Sequence, residues 1–177
     1  MNGWVFDLEG NDLYLGCTKI WYGNFKSLDG TRSMSVYPFK EGLEASQNKI
    51  MEWARSFPDG SICGSFNGLS YDHFVLWKLL GIKPTVGKNG KDFFGDKEVF
   101  FFDSFYVAQF LNPNLPEFSL AALSKGSSAE KIDYRQSLID NGFMTGEEEK
   151  GFEFSFYNPL MDEYCDADTE ATRVLLS

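Results

Sequence analysis

Residues 4–11 read Trp-Val-Phe-Asp-Leu-Glu-Gly-Asn, an apolar strand-like run, Trp4 to Leu8, followed by a Gly-Asn turn signal. Side chains two apart on a strand project from the same face, so Asp7 and Glu9 share one side of this first strand where it meets the turn. A strand interior rarely tolerates such a pair. Outward from there, residues 12–23 and 31–38 are again rich in aromatic and β-branched residues and are set off by an Asp-Gly turn signal, which predicts three antiparallel strands. Residues 43–57 space Leu43, Ile50, Trp53, Ala54 and Phe57 at helical intervals until Pro58-Asp59-Gly60 ends the pattern. A short apolar strand is expected over 61–66, an amphipathic helix over 71–80 ended by Gly81, and an apolar strand over 99–102 with a helix to about Leu111. Residues 119–125, 133–141 and 158–176 look helical, and 83–97 and 145–154 look like loops.

The order βββαβαβα predicts an α/β domain over residues 1–177: a mixed five-stranded sheet, three antiparallel strands and then parallel ones, flanked by helices. Ribonuclease-H-like folds have this order. At 177 residues and 43% hydrophobic the chain is long enough to bury about two-thirds of its unfolded surface in one core. Three cysteines, Cys17, Cys63 and Cys165, lack CxxC spacing and cannot all pair, which fits a reducing compartment. The start, Met-Asn-Gly-Trp, carries no basic leader, and no 18-residue apolar run occurs, so neither export nor a membrane partner is expected. The setting read from this is cytoplasmic, the host cytoplasm for a phage protein. A net charge of −10 argues against coating long nucleic acid, whose affinity comes from Lys and Arg releasing counterions. An acidic chain still handles a nucleic acid end when carboxylate-held divalent metals supply the positive charge.

Two more acids stand in suggestive settings. Asp72 ends Asn67-Gly68-Leu69-Ser70-Tyr71-Asp72, which follows a buried-looking strand and opens a helix, and Asp168 lies four residues after Tyr164, on the same helical face. Each segment alone reads better as ordinary structure: turn-flanking acids, a helix cap, an acidic solvated face. Together, in order and spacing, Asp7-x-Glu9, the Asn-rich turn ending in Asp72, and Tyr164-x-x-x-Asp168 resemble the three motifs of the DnaQ-like (DEDD) exonucleases. Tyr164 marks the tyrosine branch. The regions between motifs, Gly10-Asn11-Asp12-Leu13, Asp103-Ser104-Phe105 and the aromatic run 152–157, are similar to the proofreading domain of bacteriophage family A DNA polymerases.

That resemblance implies a 3′→5′ exonuclease that releases 5′-mononucleotides from single-stranded or frayed DNA 3′ ends with two divalent cations, Mg²⁺ or Mn²⁺, about 4 Å apart. It implies that Asp7 bridges both ions, that Glu9 and Asp168 complete the tighter site, that Asp72 serves the second, and that Tyr164 orients the attacking water. Leu13 matches a position that wedges against the terminal base and Asn67 a substrate-binding amide. Gly10 adjoins the first motif, and Tyr71 and Phe105 offer stacking faces. A separate DNA polymerase subunit is a possible partner, and an RNA-directed exonuclease or a non-catalytic docking module are the alternatives. His73, the only histidine, is expected to be a helix residue without chemistry, because the branch that uses a catalytic histidine places it where this chain has Tyr164. Asp103 is expected to cap the following helix.

Overall fold

Strand β1 (Gly3–Gly10) divides its side chains by parity, and that division organises the domain. Trp4, Phe6 and Leu8 enter the main core with Phe25, Ile50, Ala54, Val75, Leu76 and Phe94, while Val5, Asp7 and Glu9 take the other face. In the computed structural model, which describes residues 2–13, 15–87, 89–129 and 131–176, one sheet runs in the order β3-β2-β1-β4-β7-β6-β5. β1 pairs antiparallel with β2 (Ile20–Ser27), which pairs antiparallel with β3 (Ser33–Val36). On its other edge β1 pairs parallel with β4 (Ser61–Ser65), and β4 parallel with β7 (Lys97–Asp103). A short helix α1 (Pro38–Glu41) precedes α2 (Leu43–Arg55), which with α3 (Asp72–Leu80) supplies the core face. The long helix α7 (Pro159–Leu175) crosses the opposite face over β1 and β2. Among the described residues no helix is long and apolar enough to cross a membrane.

The mixed α/β sheet expected from the sequence is present, with two strands more than the five predicted. β5 (Pro84–Val86) and β6 (Asp92–Phe94) form an antiparallel hairpin beside β7, in the stretch read as a loop. Three residues each is too short to show an alternating pattern. The second strand begins at Ile20, not at residue 12: Leu13 and Leu15 are exposed, and the Asn11 carboxamide folds the segment back by accepting from the Thr18 and Lys19 amides. Tyr14 and Lys88, within the stretches predicted as strand and loop, lie outside the described residues.

The later helices begin where side chains cap them. Asp103, Ser119, Asp133 and Asn158 accept backbone N–H bonds at the starts of α4 (Ser104–Leu111), α5 (Leu120–Ser124), α6 (Tyr134–Asp140) and α7. Phe6 is the central core ring, stacked on Phe25 with ring centres 5.2 Å apart and met edge-on by His73 at 5.0 Å and Phe94 at 5.9 Å. We expect Phe6→Ala to cost about 3–5 kcal/mol in urea unfolding, and Leu13→Ala, at an exposed position, less than about 0.5 kcal/mol.

Candidate active site

The crevice forms where β1 and β4 part. Their parallel ladder covers only Gly3 to Val5, so the β4-facing edge of β1 is open beyond that point. The Asp72 carboxylate, at the first turn of α3, fills the gap by accepting from the Leu8 amide at 3.0 Å. This single bond draws the second acidic segment onto the strand that carries the first. Open α/β sheets bind ligands at such a place, outside the carboxyl ends of parallel strands.

The turn that delivers Asp72 is itself held by Asp103. Besides capping α4 through the Phe105 amide, Asp103 accepts from the Asn67 amide at 2.8 Å and the Leu69 amide at 3.1 Å. Asn67 takes a left-handed φ of 55°, which asparagine tolerates better than most residues. Gly10 sits at a close approach: a Cβ there would lie 2.6 Å from both the Cys17 sulfur and the Tyr71 hydroxyl. The β1–β2 register slips between Glu9 and Gly10, leaving Trp21 as an extra residue, and its indole N–H donates to the Phe154 carbonyl at 2.9 Å.

Helix α7 presents Tyr164, Cys165 and Asp168 to β1 on one stripe. Glu9, Asp72 and Asp168 are buried and Asp7 is half-buried. Burial, reinforced by the Asp168 charge, raises the Asp7 carboxyl to about 7. Burial, then Asp7 and Asp168, pushes Glu9 well up, and burial with Asp7 does the same to Asp72. Asp168 is raised by burial against the opposing pull of Lys131. The Lys131 ammonium ion-pairs with Asp168 Oδ2, donates to the Tyr164 hydroxyl at 2.7 Å and lies 4.6 Å from that ring's centre. Tyr164 is pushed up by burial and the surrounding carboxylates, so it stays protonated.

All five residues expected from the motifs, Asp7, Glu9, Asp72, Tyr164 and Asp168, therefore meet. The residues expected on the substrate side, Gly10, Leu13, Asn67, Tyr71 and Phe105, line two cavities that share Leu13 and Tyr71. One, about 380 Å³, lies beside Glu9 and includes Gly10, Lys150 and Phe154. The other, about 450 Å³, runs past Asp7, Asp72 and Asp168 and includes Asn67, Phe66, Phe105 and Phe118. Tyr71 donates its hydroxyl proton to the Asp12 carbonyl at 3.1 Å, which fixes the ring between them. Asp162 accepts from Tyr37 and Tyr157, and Asp166 from Tyr22. His73 is buried against Phe6 and Phe101, and that apolar setting lowers it to about 3. Lys131 has no counterpart among the predicted residues, since one lysine in a loop carries no spacing signal. The same holds for Phe118 and the 150–154 wall.

These residues could hold a divalent metal ion. The donors are hard carboxylate oxygens, and Asp168 Oδ1, in a residue 5% exposed, has no hydrogen-bond partner.

No family model matches the chain, and no curated protein does. Among solved structures it is similar to a family B DNA polymerase from the hyperthermophilic archaeon Pyrobaculum calidifontis, with a TM-score of 0.59, 13% identity and 99% of this chain covered. It is similar also to the Phi29 DNA polymerase complexed with primer-template DNA, with a TM-score of 0.52, 10% identity and 99% coverage. The chain spans 24% and 31% of the length of those two chains. At such identities the likeness is one of fold.

Acids whose folded state binds protons more tightly than the unfolded chain contribute stability below the unfolded value, about 4, that is lost as pH rises through the folded one. Without metal, the melting temperature of the wild type should therefore fall relative to Asp7→Asn between about pH 4 and pH 7. Mg²⁺ at pH 7.5 and about 100 times its dissociation constant should raise the wild-type midpoint by roughly 5–10 °C. Scanning calorimetry of both proteins checks this.

Proposed function

We propose that the chain is a 3′→5′ exonuclease that hydrolyses single-stranded or frayed DNA ends to 5′-mononucleotides with Mg²⁺ or Mn²⁺. The observation that carries this reading is the convergence of four carboxylates from β1, α3 and α7, Glu9 on the wall of one cavity and Asp7, Asp72 and Asp168 on the wall of the adjoining one. Asp7, Glu9, Asp72 and Asp168 would hold the ions, which would activate water for attack and offset the charge developing on the leaving 3′ oxygen.

The chain's own groups divide the remaining work. Tyr164 accepts from Lys131 and lies against the Asp168 carboxylate, a place from which its hydroxyl would orient a water beside the scissile phosphate. Kept protonated, it acts as a donor and not as a base. Lys131 holds Tyr164 and Asp168 in fixed relation. Phe66, Phe105 and Tyr71 offer ring faces to unstacked bases, with Leu13 between the two cavities. An unpaired end suits this arrangement, because ring stacking gains affinity without the phosphate-binding cations that a net charge of −10 lacks. The fold likeness to two DNA polymerases supports DNA as the substrate over RNA.

With a 5′-labelled single-stranded oligonucleotide and Mg²⁺, we expect stepwise shortening from the 3′ end. Asp7→Ala and Asp168→Ala should each slow it by roughly 100-fold or more. A fully active Asp7→Ala protein would sink the proposal. Matched DNA and RNA oligonucleotides in competition decide the substrate: preference for RNA would move the reading to an exoribonuclease.

A further inference from the structure

Cys165 lies on the stripe of α7 that covers β1, and its thiol donates to the Asp7 carbonyl at 3.4 Å. The sulfur and one carboxylate oxygen each from Asp7 and Glu9 lie within 4.8 Å of one another. With metal–sulfur bonds of about 2.3 Å and metal–oxygen bonds of about 2.0–2.2 Å, the ligands of a tetrahedral zinc ion stand roughly 3.3–3.8 Å apart, so a small contraction suffices. A second observation points to the same ligand. Asp168 Oδ1 has no hydrogen-bond partner in a residue 5% exposed, and Asp168 lines the same cavity as Asp7, which offers one further oxygen donor to the two carboxylates and the sulfur.

Magnesium takes oxygen ligands and passes sulfur by, whereas zinc and cadmium bind thiolate well. We propose that Asp7, Glu9, Cys165 and Asp168 form a thiophilic-metal site inside the carboxylate centre, and that Zn²⁺ or Cd²⁺ held there blocks Mg²⁺-dependent hydrolysis. On binding, a metal–sulfur bond forms and the thiol proton leaves to solvent, with no redox change. The block follows from geometry. The sulfur ligand on the α7 side draws Asp7 and Glu9 away from the cavity in which a phosphate would lie, and the ion takes up three of the four carboxylates that the hydrolytic ions need. The inference rests on the carboxylates being a divalent-metal centre and adds to it a built-in response to soft ions.

Cadmium reports its thiolate bond as an ultraviolet charge-transfer band, so the full chain can be titrated with CdCl₂ without nucleic acid. We expect a band that saturates at one equivalent, is absent in Cys165→Ser, and needs roughly tenfold or more Cd²⁺ in Asp7→Asn. Half-inhibition of hydrolysis by Zn²⁺ should likewise move roughly tenfold or more upward in Cys165→Ser. A band retained in Cys165→Ser would place the ion on Cys17 or Cys63, and a band unchanged in Asp7→Asn would make it a lone-thiol adduct; either overturns the proposal. Mn²⁺ binding by electron paramagnetic resonance separates the two readings. A wild type that binds Mn²⁺ but shows no cadmium band leaves the carboxylate centre standing and removes this site, and one that binds neither removes both. Should Cys165→Ser fail to fold by circular dichroism, Asp7→Asn and Glu9→Gln decide alone, because loss of the band supports the site and an unchanged band overturns it.

Discussion

Four carboxylates taken out of water and turned toward one another form the constraint to which the rest of the domain answers. Each would ionise freely in solvent; together, burial and mutual repulsion oppose their charge. The fold holds them with a small set of directed bonds. The Leu8 amide binds Asp72, Asp103 fastens the turn behind it, and Lys131 supplies a cation to Asp168. A divalent ion would relieve the same repulsion, so stability and metal affinity are two expressions of one electrostatic arrangement.

Parity along β1 makes that arrangement compatible with a packed core. Trp4, Phe6 and Leu8 fill the side under α2 and α3, and Asp7 and Glu9 face α7, so acids and core rings are neighbours in sequence but separated by the sheet. The parting of β1 from β4 after Val5 then opens a path to the acids from beyond the strand ends. Helix α7 is secured along its length by polar links to β2 and to residues outside the strands: Tyr37 and Tyr157 to Asp162, Tyr22 to Asp166, Lys26 to Glu170 and Arg173 to the Leu28 carbonyl. These fix the rotation of the helix, and with it the aim of Tyr164 and Asp168.

The apolar walls come from segments with little regular structure. Leu13 stands in the loop that the Asn11 carboxamide closes, and Phe154 in a single tight turn tied to Trp21. Loops placed on a rigid scaffold are where binding surfaces commonly lie. Here the first loop is closed directly after β1 and the second is pinned to Trp21 on β2, so the cavities keep their relation to the carboxylates.

The sequence by itself determined what depends on local pattern. Alternation in residues 4–8, helical spacing in 43–57, the turn signals between them, and the caps at Asp103, Asp133 and Asn158 follow from the period and chemistry of neighbouring residues. The positions of Asp7, Glu9, Asp72, Tyr164 and Asp168 were legible because motif spacing is a linear property. The β5–β6 hairpin was not, since its short strands exist only through pairing with β7. Only the tertiary structure decided that Lys131 reaches Tyr164 and Asp168, that Cys165 lies against Asp7, and that Leu13 and Tyr71 stand between two cavities. Those contacts join residues 33 to 158 positions apart, and no local pattern encodes a distance that the folding of the intervening chain creates.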